Sequence, residues 1–449
     1  MQLLNAPGTR DCLPDEAIAR KRILDTIKAT FERYGYSPLE TPAIERFDVL
    51  SSKYAGGDEI LKETFRVHDQ GQRELGLRYD LTVPFARVVG MNPQLKMPFK
   101  RYQVDKVWRD GPISKARYRE FWQADVDIVG CAAMTADAEL LMLAVDVFTK
   151  LGLVPVIRVN NRKILEGLAQ LEGLEDKKDA VIIALDKLDK LKREDVLEEL
   201  AGITGKDKAE AILGRFTVQG TNEQILDALP QDNELLQQGI SELREVLAYC
   251  AGADNNDKQS IINTQSTKDK HLANNKHLAN PIVIDTTLAR GLSYYTGTIF
   301  EIILPGSEVK SSVGGGGRYD KMIQDFLGGN QQFPAVGISF GVDRIYDAMG
   351  GADKKTTAKA YIIHFKNPQA GFDLAKQLRA AMINTDLDLV GRGPSKCLQY
   401  AQSQGIPFVL FLGEEELAQK KVRIKDMTSG TEDTVGVADA IARIIGSQD

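Results

Sequence analysis

Clustered thiols, metal-binding histidine pairs and long apolar runs are all missing from this 449-residue chain. The four cysteines, Cys12, Cys131, Cys250 and Cys397, lie far apart and form no CxxC pair. Four scattered cysteines with no Cys/His cluster suit neither a disulfide framework nor a structural zinc, so a reducing cytosol is the expected compartment. The four histidines form no HExxH. His271 and His277, in a doubled KHLAN, have no acidic or cysteine partner at ligand spacing and read as a solvated loop. No segment approaches the roughly 18 apolar residues of a membrane span. The opening MQLLNAPGTRDCLPDEA mixes charge and proline too early for a secretory signal. The net charge of −6 lacks the basic excess of a general nucleic-acid coat, while leaving room for a local basic site. No GxxxxGK[ST] occurs, and GGGGRYD (314–320) is not GxGxxG with an acidic residue about 20 positions on. The two common nucleotide-binding folds are therefore poorly supported.

What is present is an ordinary globular composition, 43% hydrophobic and 27% charged, long enough for two to four domains. Residues 15–35 carry Ile18, Ile23, Leu24, Ile27 and Phe31 at three- and four-residue spacing, an amphipathic helix closed by Gly35. Short strands are predicted near 62–68, 73–79, 99–108 and 121–129, then a helix at about 135–150 and the strand VPVIRVN. Many short strands with few long helices predict a mainly antiparallel sheet. From 164 to 280 the texture becomes helical and charged, in VIIALDKLDKLKREDVLEELAGI and NELLQQGISELREVLAYC, and ends in a polar loop. Strand texture returns at PIVIDTTL. After GGADKKTTAK, strands and helices alternate, which predicts a separate α/β domain. The expected organisation is 1–163 and 281–350 as one interrupted domain, 164–280 as a helical insertion, 351–358 as a linker and 359–449 as the last domain.

Three regions hold candidate chemistry. Between Lys96 and Arg119 there are eight Lys/Arg against two Asp. A strand–loop–strand pattern there puts Arg109 at the end of one strand and Arg117, Arg119 and Phe121 along one face of the next. Guanidinium groups grip phosphate oxygens in a bidentate manner, and an aromatic between them offers a stacking face for a base. The competing reading is a charged hairpin edge that resists aggregation. In RYDLTVP, Asp80 and Thr82 share a face of a short extended segment and suit an ammonium group, although Asp80-Leu-Thr82-Val-Pro84 is also a good helix-cap sequence. Gln123, Asp125 and Asp127 alternate onto the face of Phe121, where buried charge demands a ligand or partner. In LARGLSYYTGTIFEII, Arg290 and the Tyr294–Tyr295 pair stand at the mouth of a strand. They line an anionic, amphipathic ligand pocket or form an edge pair with no ligand. GGGGRYD reads as a glycine turn, and GISFGVDR places Arg344 at the head of a helix.

Taken together, these segments resemble the class II aminoacyl-tRNA synthetases. YGYSPLETPAIE is similar to motif 1, VWRDGPISKARYREFWQADVDIVG to motif 2 and AVGISFGVDR to motif 3. LARGLSYYTGTIFEI and SSVGGGGRYD resemble the two signatures of the histidyl-tRNA synthetase family, with RYDLTVP in keeping. The resemblance covers nearly the whole chain. It implies an α+β fold: an antiparallel sheet flanked by helices, a helical insertion and a C-terminal α/β anticodon-binding domain.

It further implies a cytoplasmic homodimer that joins histidine to ATP, as histidyl-adenylate, and passes it to histidine tRNA. By the resemblance, Arg109 and Arg290 address the α-phosphate, and Arg117 and Arg119 the outer phosphates. Phe121 and Arg344 sandwich the adenine. Asp80, Thr82 and Gln123 hold the α-ammonium, while Asp127 with Tyr294 or Tyr295 addresses the imidazole. Magnesium is expected on ATP. The insertion is expected to clamp the acceptor stem, so that deleting 165–279 would spare adenylate formation. The loop GPISK is expected near the acceptor end. YDLT, Asp127 and ARGLSYYTG resemble the archaeal and eukaryotic-like branch, with Ser293 replacing a frequent aspartate. The rival is the non-catalytic regulatory subunit of ATP phosphoribosyltransferase, which typically lacks the C-terminal domain and part of the arginine set.

Overall fold

Alternation decides the central strands. In Glu120–Val129, Ala124, Val126 and Ile128 point one way into an apolar core, while Gln123, Asp125 and Asp127 point the other way. The computed structural model describes residues 2–51, 61–114, 117–189, 191–251, 281–290, 294–328, 331–351 and 354–447. The loop with His271 and His277, Lys115 of the GPISK loop, and Gly291 and Ser293 lie outside the described residues. Two compact units emerge, residues 1–10 with 23–350 and residues 11–22 with 351–449.

The first unit contains β1 (Ser37–Pro38), β2 (Ile44–Arg46), β3 (Arg66–His68), β4 (Glu74–Leu77), β5 (Phe99–Trp108), β6 (Glu120–Val129), β7 (Val156–Asn161), β8 (Ile282–Ile284), β9 (Thr298–Ile303), β10 (Gly314–Arg318) and β11 (Ala335–Gly341). Eight of these form one sheet in the order β1-β5-β6-β11-β10-β9-β7-β8. The five inner pairings, from β5·β6 to β9·β7, are antiparallel, and only the edge strands β1 and β8 pair in parallel. The predicted antiparallel sheet is therefore present. A small second sheet has the order β2-β4-β3.

Helices Pro14–Arg33 and Thr135–Lys150 supply Ile23, Ile27, Phe31, Leu140, Leu141, Ala144 and Phe148 to the core with the apolar face of β6. The strand predicted over 62–68 begins later: residues 61–62 are helical and pairing starts at Arg66.

The insertion is helical throughout its described part, from Arg162–Leu171 to Glu234–Ala251. The run 181–203, which reads as one helix, is broken by a 3-10 turn at Asp186–Asp189. Two further helices, Lys206–Phe216 and Asn222–Ala228, follow; Thr221 and Gln224 form a reciprocal cap at the second. Leu236, Leu243 and Val246 of the last helix belong to the same core as the eight-stranded sheet. Deleting 165–279 would therefore remove part of that core.

In the second unit, β12 (Ala360–His364), β13 (Thr385–Leu387), β14 (Phe408–Leu412), β15 (Lys421–Asp426) and β16 (Glu432–Gly436) form a mixed sheet in the order β13-β12-β14-β15-β16. The β12 pairings are parallel and the last two antiparallel. Helices Pro368–Ala380 and Val437–Gly446 pack on one face, through Leu374, Leu378 and Ile444. Helix Pro394–Gln404 packs on the other through Cys397 and Ala401, which makes Cys397 a buried core residue.

Candidate active site

The polar face of β6 floors a cavity. Asp80, Thr82, Arg109, Gln123, Asp127, Arg290, Tyr294 and Tyr295 line it, as do Asp125, Tyr319, Gly315, Gly316, Gly317, Gly337, Ile338 and Ser339. Eight of the twelve candidate residues thus meet in one place. Arg117, Arg119, Phe121 and Arg344 are not among its lining residues.

Asp80 caps a helix and also lines the cavity. Helix Thr82–Met91 starts there, and Asp80 Oδ1 accepts from Val83 N at 3.1 Å. The segment is a helix entry rather than extended chain, yet the carboxylate still faces the cavity. Burial raises Asp80 to about 6, against the lowering effect of its backbone bonds and Arg109.

Asp127 is fixed from two sides. Its Oδ1 accepts from the Tyr319 hydroxyl, and its Oδ2 lies 2.7 Å from Arg101 Nη2. Arg101, directly opposite Asp127 in the β5·β6 register, is fully buried beneath the site and packs over Phe85 at 4.0 Å. Burial raises Asp127 above the usual carboxylate range, and Arg101 pulls it back. Gln123 Nε2 donates to Ser339 Oγ at 3.0 Å.

GGGGRYD is not a turn. Residues Gly314–Arg318 form β10, paired with β9 on one side and β11 on the other. Glycine is needed because neighbours occupy the space of a side chain. A Cβ on Gly316 would lie 1.9 Å from Gly337 O, and one on Gly317 would lie 2.8 Å from the Tyr295 ring. Tyr294 and Tyr295 are adjacent in space, with ring centroids 4.6 Å apart, and Tyr294 meets Tyr319 edge-on at 6.3 Å.

Arg290 takes a left-handed backbone conformation, φ 43°. Few non-glycine residues adopt it, and such strain collects at functional sites. Its Nη1 donates to Phe300 O at 2.9 Å. Arg109 Nε donates to Tyr79 O at 3.0 Å, and its guanidinium lies 5.3 Å from the Phe121 ring centre. Arg344, in helix Val342–Ala348, donates to Ser312 O at 2.7 Å. Burial, then Arg109 and Arg117, lower its pKa, and Arg290 adds to the effect. Four guanidinium groups therefore act on one region, which suits a ligand with several negative charges.

Arg117 and Arg119 lie just before β6, not within it. Arg117 pairs with Glu63 at 3.0 Å and is half exposed, while Arg119 pairs with Asp110 at 3.1 Å. Tyr319, Arg101 and Gly337 escaped sequence reasoning as individual residues. Arg101 had a usable signal, because folding the hairpin about its loop sets it opposite Asp127.

Among the described residues no group of three His, Cys, Asp or Glu is placed to hold a metal ion, and no helix is long and apolar enough to cross a membrane.

Comparison with known proteins bears directly on this geometry. The histidyl-tRNA synthetase family model matches residues 8–345, and the anticodon-binding domain model matches 359–446. Histidine–tRNA ligase 1 of Bacillus cereus is 40% identical, with 98% of each chain covered. The crystal structure of histidyl-tRNA synthetase from Nostoc sp. superposes with a TM-score of 0.84 at 29% identity, covering 99% of both chains. A Bacillus halodurans structure described as an ATP phosphoribosyltransferase regulatory subunit/histidyl-tRNA synthetase reaches 0.71 at 20% identity, covering 90% of this chain and 97% of that one. That last likeness is one of fold alone. These relatives are bacterial, and the branch likeness read from YDLT and Asp127 gains no support from them. With matches over both units and near its full length, the chain belongs to the histidyl-tRNA synthetase family.

Proposed function

We propose that the chain is a histidine–tRNA ligase, forming histidyl-adenylate from histidine and ATP and then esterifying tRNA. The observation that carries the reading is the meeting of Asp80, Thr82, Gln123, Asp127, Tyr294 and Tyr295 with Arg109 and Arg290 in one cavity, in a chain of this family. Asp80, Thr82 and Gln123 hold the α-ammonium. Asp127 and the tyrosines meet the imidazole, whose neutral ring offers one donor and one acceptor. Hydrogen bonds of that kind reject analogues that lack them far better than an apolar slot does.

The substrate carboxylate is already an anion, so activation needs no general base. It attacks the α-phosphorus of ATP, an acyl–phosphate bond forms and the bond to pyrophosphate breaks. Arg109 and Arg290 stabilise the charge that builds on the α-phosphate in the transition state. Arg117 and Arg119 take the outer phosphates, and Phe121 and Arg344 enclose the adenine. Magnesium arrives with ATP as part of that substrate. In the second step a terminal ribose hydroxyl attacks the acyl carbon and AMP leaves.

The insertion meets the acceptor stem and residues 359–446 the anticodon. The YGYSPLETPAIE segment contributes to a homodimer, and the enzyme works in the cytoplasm. In this reading the domains are 1–163 with 281–350, insertion 164–280, linker 351–358 and 359–449. Charging tests the whole reading. Purified protein should attach radiolabelled histidine to histidine tRNA and to no other tRNA. A folded protein that binds histidine but charges nothing would instead be a regulatory subunit.

A further inference from the structure

Asp125 lines the same cavity, and the roles above leave it unused. It is 3% exposed, on β6 between Gln123 and Asp127. Across the sheet it stands opposite Gln103 on β5 and Ser339 on β11. Gln103 turns away to the Thr41 hydroxyl. Ser339 accepts from Gln123, and its hydroxyl favours the charged form of the neighbouring Asp125 carboxylate. That leaves Asp125 Oδ1 without a partner, and Gln123 Oε1 beside it is in the same state. Asp127 Oδ2 also lacks a hydrogen bond but has its ion pair with Arg101, so Asp125 Oδ1 and Gln123 Oε1 are the two acceptors on this face with neither. Buried acceptors normally find donors, so these two point to a donor supplied by a ligand.

Charge narrows the choice. Three carboxylates face the cavity, but Asp127 is held by Arg101 and Tyr319, and Asp80 Oδ1 accepts from Val83 N. Among the described residues Asp125 has no cation of its own at ion-pairing distance. Burial raises it to about 7, opposed by Arg101 and reinforced by Asp127 and Asp80, with Ser339 lowering it slightly. The missing partner is therefore a cation with more than one N–H. In histidine at neutral pH, the α-amino group is mostly such a cation, while imidazole is mostly neutral.

We propose that Asp125 joins Asp80 and Thr82 around the substrate's α-ammonium group as its principal counter-ion, with Gln123 Oε1 accepting a second of its N–H bonds. The inference rests on the reading that this pocket activates histidine. It makes Asp125 a selector for substrates with a free, protonated amine.

The test uses ATP–pyrophosphate exchange by the full-length protein and its Asp125→Asn variant, with 3-(imidazol-4-yl)propionate as a competitor that lacks the amine. Asp125→Asn should raise the KM for histidine by about 100-fold, as expected for truncating one partner of a buried charge pair. The KM for ATP and the inhibition constant of the des-amino competitor should stay within about threefold. Unaltered competitor binding also shows that the variant's pocket is folded. Equal weakening of histidine and competitor would overturn the inference, because Asp125 would then serve the imidazole or the scaffold. An unchanged KM for histidine would overturn it as well. If the unmodified protein shows no exchange with histidine, the functional reading itself falls, and this inference with it.

Discussion

Arg290 crosses β10 so closely at Gly315 that a methyl group on that glycine would stand 1.7 Å from the arginine Nη1 and 2.9 Å from Phe300 O. Glycine at 315 is thus the condition for Arg290 to reach the cavity. Gly315→Ala should displace the guanidinium and lower kcat/KM for exchange by about 100-fold or more, the cost of losing one charge-stabilising group. Arg290→Ala should do the same. Because both act through one guanidinium, the double variant should be little worse than Arg290→Ala alone. Steady-state exchange kinetics on all three variants check this, and additive losses would show that Gly315 acts on something else.

Phe121 and Arg109 form a cation–π pair 5.3 Å apart. Phe121→Ala removes a stacking face worth about 1–2 kcal/mol. The KM for ATP should rise by about tenfold while the KM for histidine stays nearly constant. Measuring both constants in one exchange series decides whether the ring belongs to the ATP half of the site.

Arg101 is fully buried, and its nearest charge is Asp127. Arg101→Met would leave that carboxylate without its cation, a loss of about 3–5 kcal/mol in comparable buried pairs. Adding Asp127→Asn should restore part of the loss, since no lone buried charge remains. Urea titrations of the single and double variants supply the comparison; a fully stable Arg101→Met protein would contradict the role given to the pair.

Burial raises Asp125 to about 7 and Asp80 to about 6. In the unfolded chain both titrate near 3.9, so between these values the folded state binds more protons than the unfolded one. By linkage, stability from these two groups is full below about pH 4 and is lost as pH rises through 6 to 7. Asp125→Asn removes part of that slope. The variant should gain on the order of 2 kcal/mol over the unmodified protein at pH 8 and little at pH 4. Denaturation of the ligand-free proteins at several pH values tests the sign; a variant that loses stability at pH 8 would refute it.

Periodicity and turn chemistry carried much of the architecture. Helix Pro14–Arg33, the hairpin of β5 and β6, and the alternating C-terminal unit were legible because their apolar residues repeat at the period of their structure. Alternation along β6 also exposed the polar face that floors the cavity. What stayed hidden depends on neighbours distant in sequence. GGGGR looked like a turn because glycine is poor in strands, and only the packing of Arg290, Tyr295 and Gly337 O shows why a strand needs it. Asp80 looked extended or capping, and it caps while facing the pocket. Tyr319 reaches Asp127 across 192 residues of sequence, a contact no local pattern records.

The most direct measurement is ATP–pyrophosphate exchange by the purified protein, without tRNA, against each of the 20 amino acids. The account predicts exchange with histidine alone, nearly abolished in Arg290→Ala. Exchange with a different amino acid, or none with any by a folded protein that binds histidine, would contradict it.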